Sequence, residues 1–167
     1  LIGNVAMRWR NAIPPSNMFF GKNDIFFGEQ TVESDEDILF LAEGSFDSIT
    51  ITKYGFQSIA LNGAVISNEQ IEFINLNGIK KIALAFDFDE TGIKATHNVA
   101  RRIQAYTDAV IYFNHTEKLL RIVDEYERDT NKKADWNELS EDVFMTYVSG
   151  LEKYTKFSIL KSKIGEM

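Results

Sequence analysis

The run Ile82-Ala-Leu-Ala-Phe86 stops on Asp87-Phe-Asp89-Glu90-Thr-Gly92, and this junction constrains the fold more than any other stretch of the chain. A short, uninterrupted apolar run reads as a strand buried on both faces, which is the habit of parallel sheets covered by helices. The acids then fall just past its carboxyl end, where open α/β sheets place their ligands. Asp87 and Asp89 are two apart, so on an extended backbone their side chains point the same way. Two carboxylates held together repel unless a proton or a cation intervenes. Hard oxygen donors at such a place suit Mg²⁺ or Mn²⁺. A solvated acidic turn is the plainer reading of Asp-x-Asp alone, so the rest of the chain has to decide.

The rest of the chain repeats the pattern. Ile38 to Ala42 is a second buried run, ending at Glu43-Gly44. Ser58 to Leu61 is a third, closed by Asn62-Gly63, and Ala109 to Phe113 a fourth. Helices are expected between them. The first spans Phe46 to Tyr54, although Ile49-Thr-Ile-Thr52 has strand-like propensity. The next is opened by the Ser67-x-x-Gln70 capping box, and another runs from Thr91 to about Ala105. Glu117 to Thr130 is an amphipathic helix, and Ser140 starts one more, ending near Gly150. Strands and helices in alternation predict an α/β fold: a mostly parallel four-stranded sheet flanked by helices, preceded by an irregular amino-terminal segment. The expected division is a lead-in over 1–37, the main domain over 38–150 and a weakly helical tail over 151–167.

Composition excludes several alternatives. There is no cysteine, hence no disulfide and no thiolate zinc site. No apolar run is long enough to span a membrane, so no membrane partner and a cytoplasmic setting are expected. The net charge of −7 argues against a general nucleic-acid footprint, so any such contact needs a local basic patch or a metal bridge. Arg8-Trp9-Arg10 has the composition of a single-strand contact but reads more readily as an amphipathic edge packed on the domain. His97 and His115 lack ligand spacing and read as structural. Trp136 reads as filling a sheet edge.

Two strand ends therefore carry acids: Glu43-Gly-Ser-Phe-Asp47 and Asp87-Phe-Asp89-Glu90. Those strands are expected to lie side by side near the centre of the sheet, so that Glu43 meets the aspartates, which is a stronger cation signal than either motif alone. The series Leu41-Ala-Glu43-Gly-Ser-Phe-Asp47, Tyr54-Gly-Phe56, Leu61-Asn-Gly63-Ala and Ala85-Phe-Asp87-Phe-Asp89-Glu-Thr-Gly92-Ile-Lys94-Ala resembles the Toprim domain. That Rossmann-like module is shared by bacterial-type primases, type IA and type II topoisomerases, OLD-family nucleases and RecR-like repair proteins. The primase branch looks most similar. Asp135-Trp-Asn137-Glu138-Leu139 is similar to the later acidic motif of primases, in the Asp-x-Asn form of phage and plasmid proteins. Phe19-Phe-Gly-Lys22 is similar to a basic lead-in segment.

The resemblance implies that Glu43, Asp87 and Asp89 are catalytic and hold Mg²⁺ or Mn²⁺. Glu43 would be a ligand or a general acid/base, and Asp47 and Asp135 secondary ligands. Lys94, Arg8, Arg10 and Lys22 would contact nucleic-acid phosphates. It implies a primase-type nucleotidyltransferase making RNA primers in DNA replication, in a phage or mobile element. The partners would be a single-stranded DNA template and nucleotides, with a replicative helicase or other domains of a larger parent protein alongside. A Toprim nuclease and a non-catalytic binding or scaffold module are the alternatives. Two departures stand out: Phe88 replaces the glycine usual between the aspartates and is expected to narrow the approach, and Thr91 replaces an alanine.

Overall fold

The computed structural model describes residues 26–32, 38–155 and 158. Arg8, Arg10 and Lys22, the acidic run 33–37 and most of the tail lie outside the described residues. The elements alternate from β1 (Leu39–Ala42) and α1 (Ser45–Lys53) through β2 (Ser58–Ala60), α2 (Asn68–Leu76), β3 (Lys81–Ala85), α3 (Glu90–Tyr106) and β4 (Val110–Phe113). The chain then runs into α4 (Glu117–Thr130), α5 (Glu141–Ser149) and β5 (Glu152–Lys153). The sheet order is β2-β1-β3-β4-β5. The first four strands pair in parallel, and β5 pairs with β4 antiparallel.

The sheet thus has five strands rather than the four expected. The fifth, Glu152–Lys153, is two exposed residues with no apolar alternation. Nothing in its composition marks a strand; backbone pairing with Tyr112 and Phe113 makes it one. Residue Tyr154 then turns inward and donates its backbone N–H to the carbonyl of Ile111 at 2.8 Å.

The strands are apolar throughout because both faces are covered, and alternate residues feed two cores. Leu39, Leu41, Ile59, Ile82 and Leu84 face a layer built from Ile71 and Ile74 of α2 and from Ala95, Val99 and Ile103 of α3. Phe40, Ala42, Ala83 and Ala85 face Ile51 of α1, Leu119 and Val123 of α4, and Phe144 and Tyr147 of α5. Small residues on the second face of β3 leave room for Trp136, Phe144 and Tyr147, whose rings meet edge-on or stacked at 4.9–5.8 Å. The β-branched stretch Ile49–Thr52 is helical because Ile51 must reach this core while Asp47 and Ser48 are buried one turn earlier. Tertiary packing overrides the local propensity.

Upstream of the domain, Phe27 forms an antiparallel bridge to Ala60, so the lead-in contacts the β2 edge. Phe26 is buried in the first core.

Candidate active site

Strands β1 and β3 are adjacent, and their register places Ala42 opposite Ala85. Both chains leave the sheet at the same level, so Glu43 and the Asp87–Asp89 turn open onto one space. Strand β3 ends at Ala85, so Asp87 and Asp89 do not share a face by strand alternation. Asp89 instead caps α3, its Oδ1 accepting from the Gly92 backbone N–H at 2.7 Å. That bond holds the Asp89 carboxyl below its usual range, with the Lys133 ammonium adding to it against partial burial.

Gly92 is there for close approach. A Cβ built on it would lie 2.1 Å from the Asp87 carbonyl oxygen, so the first turn of α3 rests directly on the backbone of the acidic turn. Because the opposing atom is backbone, Gly92→Ala must push Asp87 and α3 apart. The expected cost is roughly 1–3 kcal/mol, read as a lower midpoint in denaturant unfolding; an unchanged midpoint would refute the contact.

The other acids arrive from α1 and from the α4–α5 connection. Asp47 is buried in the first turn of α1. Asp135 lies in the segment 131–140, which is pinned at several points. Trp136 donates its indole N–H to the Ala85 carbonyl at 3.0 Å, and the Ala134 N–H donates to Glu127 Oε1 at 2.8 Å. The Glu138 and Leu139 amides donate to the Asp135 carbonyl. Trp136 therefore packs over the carboxyl end of a central strand, not at the sheet edge that its sequence suggested.

The same segment brings in a residue to which the sequence reading gave no role. The Lys133 ammonium lies 2.5 Å from Asp87 Oδ2, 3.2 Å from Asp89 Oδ2 and 3.8 Å from Asp135 Oδ1. Burial works against its charge, but the bonds and charges of Asp87 and Asp89 outweigh it and hold its pKa above that of an ordinary lysine. The one signal in the sequence was position: a lysine two residues before the aspartate of Asp-x-Asn.

One ammonium does not satisfy five carboxylates. Glu43 Oε2, Asp47 Oδ1 and Asp135 Oδ1 are buried without a hydrogen-bond partner. Burial first, and Asp87 second, push Glu43 up to about 7, with Lys133 opposing. The same two causes push Asp47 up to about 6 against backbone donors from Asn137 and Gly44. Asp135 is raised by burial and by Asp87. Among the described residues no three His, Asp or Glu side chains stand as a ready-made cation cage. The donor set nevertheless fits a hard divalent ion: all ligands are oxygens, Glu43 Oε2 and Asp47 Oδ1 are orphaned, Asp135 Oδ1 has only the Lys133 ammonium at 3.8 Å, and negative charge exceeds positive.

A pH prediction follows from Glu43. An unfolded glutamate releases its proton near 4.5, the folded one near 7. Folding stability therefore falls as pH rises between those values, because the folded state keeps a proton the unfolded state has lost. His115, which burial lowers to about 4, runs the opposite way, losing stability as pH falls below 6.5. Comparing Glu43→Gln with the parent cancels that second effect. In chelator, melting curves should coincide near pH 4 and separate by pH 8, with Glu43→Gln the more stable. A constant difference across that range would contradict the buried, uncompensated carboxylate.

The remaining expected residues are placed as follows. Lys94 is exposed on α3 and bonded to Glu90, one turn back. Phe88 does not narrow the approach: it is 8% exposed and packs edge-on against Trp136 at 4.8 Å, inside the second core. His97 meets Phe113 edge-on and Tyr154 at a tilt, and His115 meets Phe113 edge-on, in one aromatic cluster. A cavity of about 430 Å³ lies beside Ile66 and is lined on α3 by Asn98, Arg101 and Arg102.

Comparison with known proteins decides the family. A Toprim-like family model matches residues 40–140. The chain belongs to the Toprim-like family. It is 33% identical over 87 residues to an uncharacterised protein of Mycoplasma genitalium, covering 52% of this chain and 38% of that one. It is 29% identical over 87 residues to the DNA primase of the same organism, covering 51% of this chain and 14% of the primase. The chain thus spans less than half the length of these relatives. A solved DnaG primase catalytic domain bound to single-stranded DNA shares the fold, with a TM-score of 0.51 and 17% identity over 80% of this chain and 46% of that one. The chain therefore shares the fold of a primase catalytic domain, and the stretch matched by the family model contains Glu43, Asp47, Asp87, Asp89, Lys133 and Asp135.

Proposed function

We propose that this Toprim domain is the phosphoryl-transfer site of a primase-like DNA replication protein, joining ribonucleotides on a single-stranded DNA template. The observation that carries the reading is the gathering of Glu43, Asp47, Asp87, Asp89 and Asp135 about the adjoining ends of β1 and β3, in a chain 29% identical over 87 residues to a DNA primase. Asp87 and Asp89 would hold Mg²⁺ or Mn²⁺, with Asp47 and Asp135 as supporting ligands. A bound divalent ion supplies charge neutralisation at the transferring phosphoryl group and lowers the pKa of the attacking hydroxyl. Glu43, at the end of β1 beside the aspartates, is placed to accept the proton leaving a 3′ hydroxyl. The 3′ oxygen bonds to the α-phosphorus, and pyrophosphate departs.

The template and nucleotides are the partners this reading names, with a replicative helicase or further domains beside them. The Asp-x-Asn form of the last motif is what favours a phage or mobile-element protein. Arg101 and Arg102, beside the α3 cavity, are described basic residues suited to the phosphate backbone. No described helix is long and apolar enough to cross a membrane; a cytoplasmic setting is part of the same proposal.

The test is primer synthesis on single-stranded DNA with ribonucleotides and Mg²⁺ or Mn²⁺, in the longest polypeptide its gene encodes. Labelled primers that vanish in chelator support the reading. Metal-dependent cleavage without synthesis would replace it with the nuclease; no metal binding at millimolar concentration would replace it with a scaffold.

A further inference from the structure

We propose that Lys133 is a resident counter-cation of the acidic site, occupying the space between Asp87, Asp89 and Asp135 until a divalent ion displaces it. The inference rests on the metal reading given above and concerns how that site is regulated. Surface lysines wander, because four rotatable bonds make holding them costly. Lys133 is held. Its side chain is 48% exposed, yet the ammonium reaches three carboxylates contributed by two separate segments. The backbone beside it is fixed, with Ala134 buried, Trp136 bonded to Ala85, and Lys132 paired to Glu138 at 3.0 Å. The tether therefore aims the ammonium at the acids before any ligand arrives.

The charges explain why such a tether is useful. Without it, Asp87 and Asp89 would face Glu43, Asp47 and Asp135 with no positive neighbour in the cluster among the described residues, and like charges that close destabilise the turn. A single positive charge offsets part of that repulsion and keeps the acids gathered. It also stands where a divalent ion would bind, so entry of the ion requires the ammonium to leave. Lys133 therefore weakens metal binding while preserving the shape of the metal-free site. Once displaced, it remains on the rim of the site.

The experiment measures Mn²⁺ affinity by calorimetry on the full chain, comparing the parent with Lys133→Met and Lys133→Arg. Removing the competing charge should tighten Mn²⁺ about tenfold or more in Lys133→Met, while Lys133→Arg stays near the parent. In chelator Lys133→Met should melt lower than the parent, and Mn²⁺ should remove most of that difference. A purely structural lysine would lower the melting point without tightening the metal. Equal or weaker Mn²⁺ binding in Lys133→Met, with binding still lost in Asp87→Asn, overturns the role of Lys133 and leaves the metal site standing. Absence of Mn²⁺ binding in both the parent and a folded Lys133→Met overturns both readings. The parent protein supplies a check that needs no variant: Mg²⁺ should speed acetylation of Lys133 by an amine-reactive reagent, followed by mass spectrometry, and an unchanged rate counts against displacement.

Discussion

Asp87→Asn is expected to lower metal-dependent phosphoryl transfer by more than about 100-fold and to leave the fold intact. Asp87 is the member of the site that the others feel. Its charge raises Glu43, Asp47 and Asp135, and its Oδ2 is the nearest contact of Lys133. Its carboxylate sits beyond the last residue of β3, so exchanging it for an amide of the same size removes a charge and no core packing. Neutralisation removes the central anionic donor and lets Glu43 and Asp47 fall back toward ordinary carboxylate values, since Asp87 is the second cause of both shifts. Primer synthesis and Mn²⁺ affinity should therefore collapse together, while circular dichroism and the unfolding midpoint change little. Activity above a tenth of the parent's would remove Asp87 from the centre of the mechanism.

Trp136→Ala is expected to be the most damaging change for stability, costing about 3–5 kcal/mol. The side chain is 1% exposed, packs against Phe88, Phe144 and Tyr147, and bonds the Ala85 carbonyl. Against a typical total of about 5–15 kcal/mol, such a loss leaves the domain marginal. Trp136→Phe keeps most of the ring but leaves the carbonyl without the indole donor, at about 1–3 kcal/mol. That milder variant separates the two links of the chain. Trp136 lies between Asp135 and Asn137, so a slackened anchor should weaken Mn²⁺ binding while the protein remains folded. Denaturant unfolding and Mn²⁺ titration on the same sample check both. A folded Trp136→Phe with full metal affinity would show that the anchor serves the core alone.

Much of this molecule was legible in the residue order. Buried runs that stop on acids are visible because strands covered on both faces need uninterrupted apolar sequence. The helices were visible because caps such as Ser67-x-x-Gln70 and the apolar stripe of Glu117–Thr130 are local signals; the capping box forms as read. Glu43, Asp87 and Asp89 could be singled out because acids at strand ends face the open mouth of a sheet; Asp47 follows Glu43 by one helical turn, and Asp135 stands out only through the resemblance of its motif to that of primases. The expected neighbourhood of the two acid-bearing strands is borne out, with β1 beside β3. What one sequence could not state is the register, Ala42 opposite Ala85, which is a fact of long-range pairing and sets the level at which Glu43 meets the aspartates. The inward turn of Phe88 depends on Trp136, which lies on a distant segment, so a phenylalanine in place of the family's glycine suggested a narrowed approach. Strand β5 exists only because β4 offers an edge.

Lys133 is the clearest case of the divide. In the sequence it is one of two lysines in a polar stretch, 46 residues from the aspartate it binds. Local sequence determined that acids would crowd at the end of β3. Only the tertiary structure decided that an ammonium from the α4–α5 connection stands among them, because electrostatic pairing acts through space and leaves no period in the chain.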